Sequence, residues 1–338
     1  MATRRRGSRL RGTRVRGKGR VRRGLLAVLV VLSVAVPVSG AARAAGVPAP
    51  VPVVGDGMPE ASADGLRERY AASRDGIRAA EAVAAGHGDR RRAAALRAMA
   101  GPERQFLSFD GRDGGRAVEV FGDLAAAERI AVLVPGSDTD LDSYDRFRAG
   151  AVALREETGG RVAVIAWLGY ATPSALSLRA LTAGRADEGA SRLRGFVERL
   201  GATLPAGRIS LLCHSYGSVV CARAVSGLRV SDVVLYGSPG TGADSVDALR
   251  TGATVWAGRG GGDWIADVPH VRLPLVLTTV GFGTDPVSDE FGARVFDAGE
   301  GGHSDYLKPG SVALRNIGRI VSGRDVPGHG VSGVVRGA

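Results

Sequence analysis

Ser215, Asp263 and His303 stand in this chain in that order. Together these residue types can run nucleophilic acyl transfer: a hydroxyl attacks, an imidazole takes its proton, and an acid holds the imidazole in the right tautomer. Ser215 has the most telling surroundings. Arg208-Ile209-Ser210-Leu211-Leu212-Cys213 is an apolar run with the length of a buried strand, His214-Ser215-Tyr216-Gly217 is an abrupt turn, and Ser218 to Ala224 reads as a small-residue helix. A serine at the apex of a strand–turn–helix is exposed at the edge of a sheet, and the first backbone N–H groups of the helix point at the space above its hydroxyl. Gly217 keeps the second glycine of a G-x-S-x-G pattern, and Cys213 replaces the first.

The partners of such a serine must come from loops at the same sheet edge. His303 lies in Asp297-Ala298-Gly299-Glu300-Gly301-Gly302-His303-Ser304-Asp305-Tyr306, a glycine-rich loop after the last expected strand, and is the candidate general base. Among the other histidines, His214 reads as packing beside the turn, His270 is the reserve candidate, and His87 and His329 fall in a helical arm and the tail. The acid belongs between serine and histidine. Asp263 follows the expected strand Thr254–Ala257 through Gly258-Arg259-Gly260-Gly261-Gly262, with Asp267, Asp285 and Asp244 as rivals. The N–H of Tyr216 and that of Ser137 or Gly136, in the loop Val134-Pro135-Gly136-Ser137-Asp138-Thr139, are the candidate oxyanion donors. Trp167 and Tyr170 are candidate borders of a substrate cleft. Five scattered histidines without H-E-x-x-H or paired cysteine spacing make a metal site an unpromising reading, and no cofactor is expected. Cys213, at the end of a strand, and Cys221, about two turns into a helix, look awkward to bond directly and read as separate small buried residues.

The elements that must position these groups alternate. Gln105–Phe109 and Arg116–Phe121 flank a Gly- and Asp-rich turn, which predicts an antiparallel hairpin. Apolar runs at Ile130–Val134, Val162–Trp167, Arg208–Cys213, Ser231–Tyr236, Thr254–Ala257 and Ala293–Phe296 predict strands, and helices are expected over Asp142–Thr158 and Ala186–Leu200. Near-continuous apolar strands alternating with helices predict an α/β fold: a mostly parallel central sheet with helices on both faces. Residues 60–100 are rich in Ala, Arg and Glu and predict two amphipathic helices broken around Gly86-His87-Gly88, a helical N-terminal appendage.

With these segments in place, the chain resembles an actinobacterial family of α/β-hydrolases of unknown function. The likeness rests on Val134-Pro135-Gly136, Ile165-Ala166-Trp167-Leu168-Gly169-Tyr170, His214-Ser215-Tyr216-Gly217-Ser218, Gly283-Thr284-Asp285-Pro286-Val287-Ser288 and Gly301-Gly302-His303-Ser304-Asp305-Tyr306-Leu307, and it covers about residues 100–320. The resemblance implies the α/β-hydrolase fold, with Ser215 and His303 as catalytic residues and Asp263 as the acid. Members usually carry glycine where this chain has Cys213. The family brings no known substrate.

The first residues are of another kind. Residues 1–24 hold ten arginines, Lys18 and no acid, followed by an apolar run from Leu25 to Val38 and small residues around Ser39-Gly40-Ala41 and Ala42-Arg43-Ala44. This describes a signal peptide over residues 1–44, for a Sec or twin-arginine route, with an uncleaved anchor as the alternative. Residues 45–59 read as a Pro-rich linker, 101–322 as the α/β domain and 323–338 as a flexible tail. The formal net charge of +11 falls to zero without those eleven basic residues, so the rest of the chain makes no net-charge case for nucleic acid. About 290 residues then remain, within the range of a single α/β domain. The expected function is a secreted or cell-surface serine hydrolase acting on a small-molecule, lipid or cell-envelope acyl substrate, and esters are favoured over amides. A cell-envelope acyltransferase and a non-catalytic surface binding protein are the alternatives. Membrane contact is expected only through an uncleaved signal.

Overall fold

In a computed structural model the residues described are 48–55, 57–60, 62–174, 183–204, 208–267, 273–275, 278–280 and 283–326. The expected signal segment, His270, His329 and residues 327–338 lie outside them. Among the described residues no helix is long and apolar enough to cross a membrane.

The apolar runs form strands: β1 (Gln105–Asp110), β2 (Arg116–Phe121), β3 (Arg129–Val134), β4 (Val162–Leu168), β5 (Arg208–His214), β6 (Asp232–Tyr236), β7 (Thr254–Gly258), the short pair β8 (Leu273–Leu275) and β9 (Thr278–Val280), and β10 (Arg294–Val295). Eight of them make one sheet in the order β1-β2-β4-β3-β5-β6-β7-β10. The hairpin strand β2 runs antiparallel to β1 and β4, while β4, β3, β5, β6, β7 and β10 pair in parallel. β8 and β9, which the sequence pattern does not reveal, pair antiparallel apart from this sheet.

The strands are apolar on both sides because both faces are covered. Ile130, Val132, Ile165, Leu211 and Val233 point into one core, and Ala131, Leu133, Val164, Leu212 and Val234 into the other. The helices divide accordingly. Helices α1 (Ala63–Gly86), α2 (Arg90–Met99) and α3 (Tyr144–Thr158) precede α4 (Ala183–Thr203), α5 (Gly217–Ala224) and α6 (Val312–Ser322). Side chains of α4 and α5 fill the first core, and those of α2, α3 and α6 the second. The α1–α2 arm is built into this arrangement, since α1 gives Leu66 and Tyr70 to one core and Ile77 and Ala80 to the other. The break between the two helices falls at Gly88, whose φ of 83° suits glycine, and Asp89 caps α2 by accepting from the Arg92 N–H at 2.9 Å. Helix α6 is not among the expected elements. Its signals are nonetheless present: Leu314, Ile317, Ile320 and Val321 recur at helical spacing between the Ser311 cap and Gly323.

One buried ion pair ties the arm to the sheet. Glu119 on β2 accepts from Arg104 Nε at 2.5 Å and Nη2 at 2.7 Å, with side-chain exposures of 1% and 4%. The Arg104 guanidinium also lies over the rings of Phe106 and Tyr144, at 5.1 and 5.7 Å. Arg104 lies between α2 and β1, so the pair fixes where the arm meets the hairpin. Glu119→Ala strands a buried cation and is expected to lower unfolding stability by about 3–5 kcal/mol in urea titrations. Disrupting the exposed Arg67–Asp64 pair by Asp64→Ala is expected to change little in the same measurement.

Candidate active site

All the parallel strands end at one edge of the sheet, and the candidate residues follow those ends. Ser215 comes directly after β5, a central strand between β3 and β6. The turn is tight enough to force Ser215 to φ 51°, a left-handed conformation costly for a residue with a side chain. The surroundings hold it there: the Ser215 N–H donates to Tyr236 O at 3.1 Å, and the Ser218 N–H donates to Ser215 O at 2.9 Å. Gly217 is needed for close approach, because a Cβ there would stand 2.6 Å from Val134 O and 2.8 Å from Pro135 O. Gly136 lies against the serine itself, since its Cβ would come within 2.7 Å of Ser215 Cβ.

His303 reaches this point from the loop after β10. Its Nε2 is 2.9 Å from Ser215 Oγ, and its Nδ1 is 2.9 and 3.1 Å from the two carboxylate oxygens of Asp263. With the Nδ1–H donating to Asp263, Nε2 is left to accept from the serine hydroxyl. The acid loop and the histidine loop meet backbone to backbone. The Gly261 N–H donates to Gly299 O at 2.9 Å, and a Cβ on Gly260 would collide with Gly301 O at 2.1 Å. This contact requires the glycine-rich run before Asp263.

Asp263 is 3% exposed and its charge is met on every side. Besides His303, Oδ1 accepts from the Ile265 N–H at 2.9 Å and Oδ2 accepts from the Tyr306 hydroxyl. Burial pushes its carboxyl up, but the hydrogen bonds from His303, Tyr306 and Ile265 outweigh that and hold it below the usual range. Its rivals are placed elsewhere. Asp285 pairs with Arg259 at 2.7 Å, and Asp267 and Asp244 are exposed. The reserve histidine, His270, lies outside the described residues.

Two side chains that sequence reasoning did not assign to the site brace it. His214 donates from Nε2 to His303 O at 2.8 Å and packs its ring 5.1 Å from Tyr236 and 4.8 Å from His303. Burial, then the neighbouring His303, pushes the His214 imidazole down to about 4. Tyr306 joins Asp263 to the glycine loop, donating to the carboxylate and accepting from the Gly260 N–H at 3.0 Å. Their signals were adjacency to Ser215 and membership of the Gly301–Leu307 segment, but neither distinguishes a brace from a packed ring.

Two expectations need correction. Trp167 and Tyr170 do not border a cleft: they are 2% and 1% exposed, stack at 6.0 Å and belong to the core beneath α4. Tyr170 instead donates to Pro135 O at 2.7 Å, so it anchors the loop carrying Gly136 and Ser137, which the Asp138 N–H and Thr139 N–H also tie to Pro173 O and Thr172 Oγ1. Cys213 and Cys221 are not separate thiols but a disulfide, with Cα atoms 6.4 Å apart. The reason is strand alternation. Cys213 points to the same face as Ile209 and Leu211, and α5 folds back over that face and brings Cys221 down on it.

Residues 110–273 match the model of a family described as α/β hydrolase, a stretch that includes Ser215 and Asp263 and stops before His303. The uncharacterized protein Rv2079 of Mycobacterium tuberculosis is 32% identical over 254 residues, covering 64% of this chain and 38% of that protein. The chain therefore spans well under half the length of this relative. The uncharacterized protein Rv0963c of the same organism is 36% identical over 192 residues, covering 50% of this chain and 69% of that protein. Among solved structures, XC6422 from Xanthomonas campestris, described as an α/β serine hydrolase without lid, aligns with a TM-score of 0.45 and 19% identity over 68% of this chain and 98% of its own.

Two measurements follow from the bracing of the site. The fold keeps His214 neutral down to about pH 4, whereas the unfolded chain protonates it near 6.5, so the stability it contributes is complete above pH 6.5 and is lost as pH falls toward 4. Wild type is expected to lose roughly 3 kcal/mol across that window, and His214→Gln, whose amide can still donate to His303 O, is expected to flatten that part of the profile. Depressed Asp263 acts in a lower window, below its ordinary 3.8, and does not blur the comparison. For the disulfide, the Cys213→Ala/Cys221→Ala variant is expected to lose about 2–3 kcal/mol of stability, and reductant is expected to lower wild type in urea titrations but leave the variant unmoved.

Proposed function

The chain belongs to the α/β-hydrolase family, and from that premise we propose that it is a serine hydrolase opening an ester, or an amide, through an acyl-enzyme on Ser215. One observation carries this reading: the unbroken hydrogen-bonded line from Ser215 Oγ through His303 to buried Asp263, at the carboxyl edge of a parallel sheet.

The chemistry follows from the geometry. His303 Nε2 takes the hydroxyl proton as Ser215 Oγ attacks the substrate carbonyl, forming a C–O bond while the carbonyl π pair moves onto oxygen. The Tyr216 N–H, with that of Gly136 or Ser137, receives the oxyanion, and each such donor is worth about 3 kcal/mol at the transition state in comparable sites. Asp263, ionised and acceptor-only, stabilises the imidazolium through Nδ1–H. As the tetrahedral centre collapses, His303 returns the proton to the leaving oxygen or nitrogen. Water then repeats the sequence on the acyl-enzyme, with His303 again as base. Tyr306 and His214 act as positioning residues, the first on Asp263 and the second on the His303 backbone.

We place the protein outside the cytoplasm, secreted or at the cell surface. Residues 1–44 have the composition of an export signal, and the buried Cys213–Cys221 disulfide suits an oxidising compartment. The substrate is a small-molecule, lipid or envelope acyl compound.

Labelling with a fluorophosphonate probe tests the reading. Wild type should label, and Ser215→Ala and His303→Ala should not. Ester turnover should fall by at least about 10³-fold in either variant, and by about 10⁴-fold in Asp263→Asn, which favours the wrong histidine tautomer. A folded wild type that neither labels nor turns over esters would instead indicate a binding protein on a hydrolase scaffold.

A further inference from the structure

Trp264 follows Asp263 directly and opens the short 3-10 turn Trp264–Asp267. Its neighbours Asp263 and Ile265 are buried, yet Trp264 is 54% exposed. Every other described Trp, Tyr or Phe is buried or half-buried. Its ring centroid stands 4.8 Å from that of His303, the rings inclined at 49°. The other ring at 4.8 Å from His303, His214, is held inward by its bond to His303 O and its stack on Tyr236. Trp264 is thus the solvent-facing neighbour of the imidazole.

The position has a chemical meaning that rests on the acyl-enzyme reading above. His303 must hand its proton to the departing atom, so that atom comes within hydrogen-bond reach of Nε2. Whatever the departing atom carries then extends past the imidazole on its solvent side, where the indole stands. The acyl part, bonded to Ser215 Oγ after the first step, has no such requirement. An indole presents a broad apolar face that stacks on rings and leaves its edge to water.

We propose that Trp264 is a specificity-determining residue that binds the leaving group, and that the preferred substrates are esters of alcohols bearing a flat or cyclic apolar face. An aryl ring and the C–H face of a sugar ring offer the same chemistry. The step is the ordinary one: the acyl C–O bond to the alcohol breaks, the Ser215 Oγ–acyl bond forms, and His303 delivers the proton to the alcohol oxygen.

Acetate esters of benzyl alcohol, of a methyl glucoside and of ethanol hold the acyl group constant and divide aryl from sugar from neither. In wild type the kcat/KM ratio of a ring-bearing ester to ethyl acetate should exceed one. In Trp264→Ala that ratio should fall about tenfold, and Trp264→Phe should restore most of it. The arm that responds, benzyl or glucoside, identifies the source of the ring. Deacylation of the common acetyl-enzyme should be the same for all three esters in every variant, because the alcohol has left. A ratio unchanged in Trp264→Ala, or a loss equal for all three esters, would overturn the proposal and reduce Trp264 to a support for Asp263. Titration of benzyl alcohol and methyl glucoside into Ser215→Ala, with and without Trp264→Phe, separates the two readings. Indole quenching that vanishes in the double variant upholds the ring site even if wild type proves unreactive, and its absence with an active wild type overturns the ring site alone.

Discussion

The structure depends on one backbone constraint, the left-handed turn at Ser215. A residue with a side chain at φ 51° is held there only if its surroundings leave no alternative. Here β5 is locked between β3 and β6, α5 starts two residues later, and Gly217 lets the helix start sit against the carbonyls of Val134 and Pro135. The Cys213–Cys221 disulfide closes the same turn from below, joining the strand before the serine to the helix after it. The cysteine that replaces the first glycine of the G-x-S-x-G pattern is therefore part of the restraint on the turn.

Around that turn the electrostatics are arranged by burial and by hydrogen bonds acting in opposite directions. Asp263 loses water and gains donors from His303, Tyr306 and the Ile265 N–H, so it stays charged. His214 loses water without a carboxylate of its own and stays neutral, which leaves its Nε2–H to hold the His303 backbone. The two groups sit on either side of His303 in the bonding network, one at its ring and one at its carbonyl. Orientation of that imidazole is thus over-determined, which suits the proton transfer proposed for it.

Away from the site, a buried ion pair joins the arm to the hairpin. Arg104 and Glu119 are buried together, a weak source of net stability but a strict condition on position, because either partner alone would be a stranded charge. Helix α1 contributes to the cores on both faces of the sheet, so the helical appendage is packed firmly on the domain.

Much of this is written locally. The apolar runs, the glycine-rich turns and the order of serine, acid and histidine depend on neighbours along the chain, and they determined an α/β sheet with Ser215 at the end of a central strand. Helix α6 carried equally local signals in Ser311, its apolar spacing and Gly323. What the chain order could not decide was distance between loops. Whether Asp263 or Asp285 meets His303, whether Cys221 lands on Cys213, whether Trp167 and Tyr170 face a cleft or a core, and which aromatic stays in water all depend on how strands far apart in sequence lie side by side. Strand alternation and sheet order set those distances. Asp263 is 40 residues from His303, and Ser215 is 88. The sequence by itself determined the residue types and the elements that carry them; the tertiary structure alone decided which of them touch, because contact between loops follows the order of strands in the sheet and not their order in the chain.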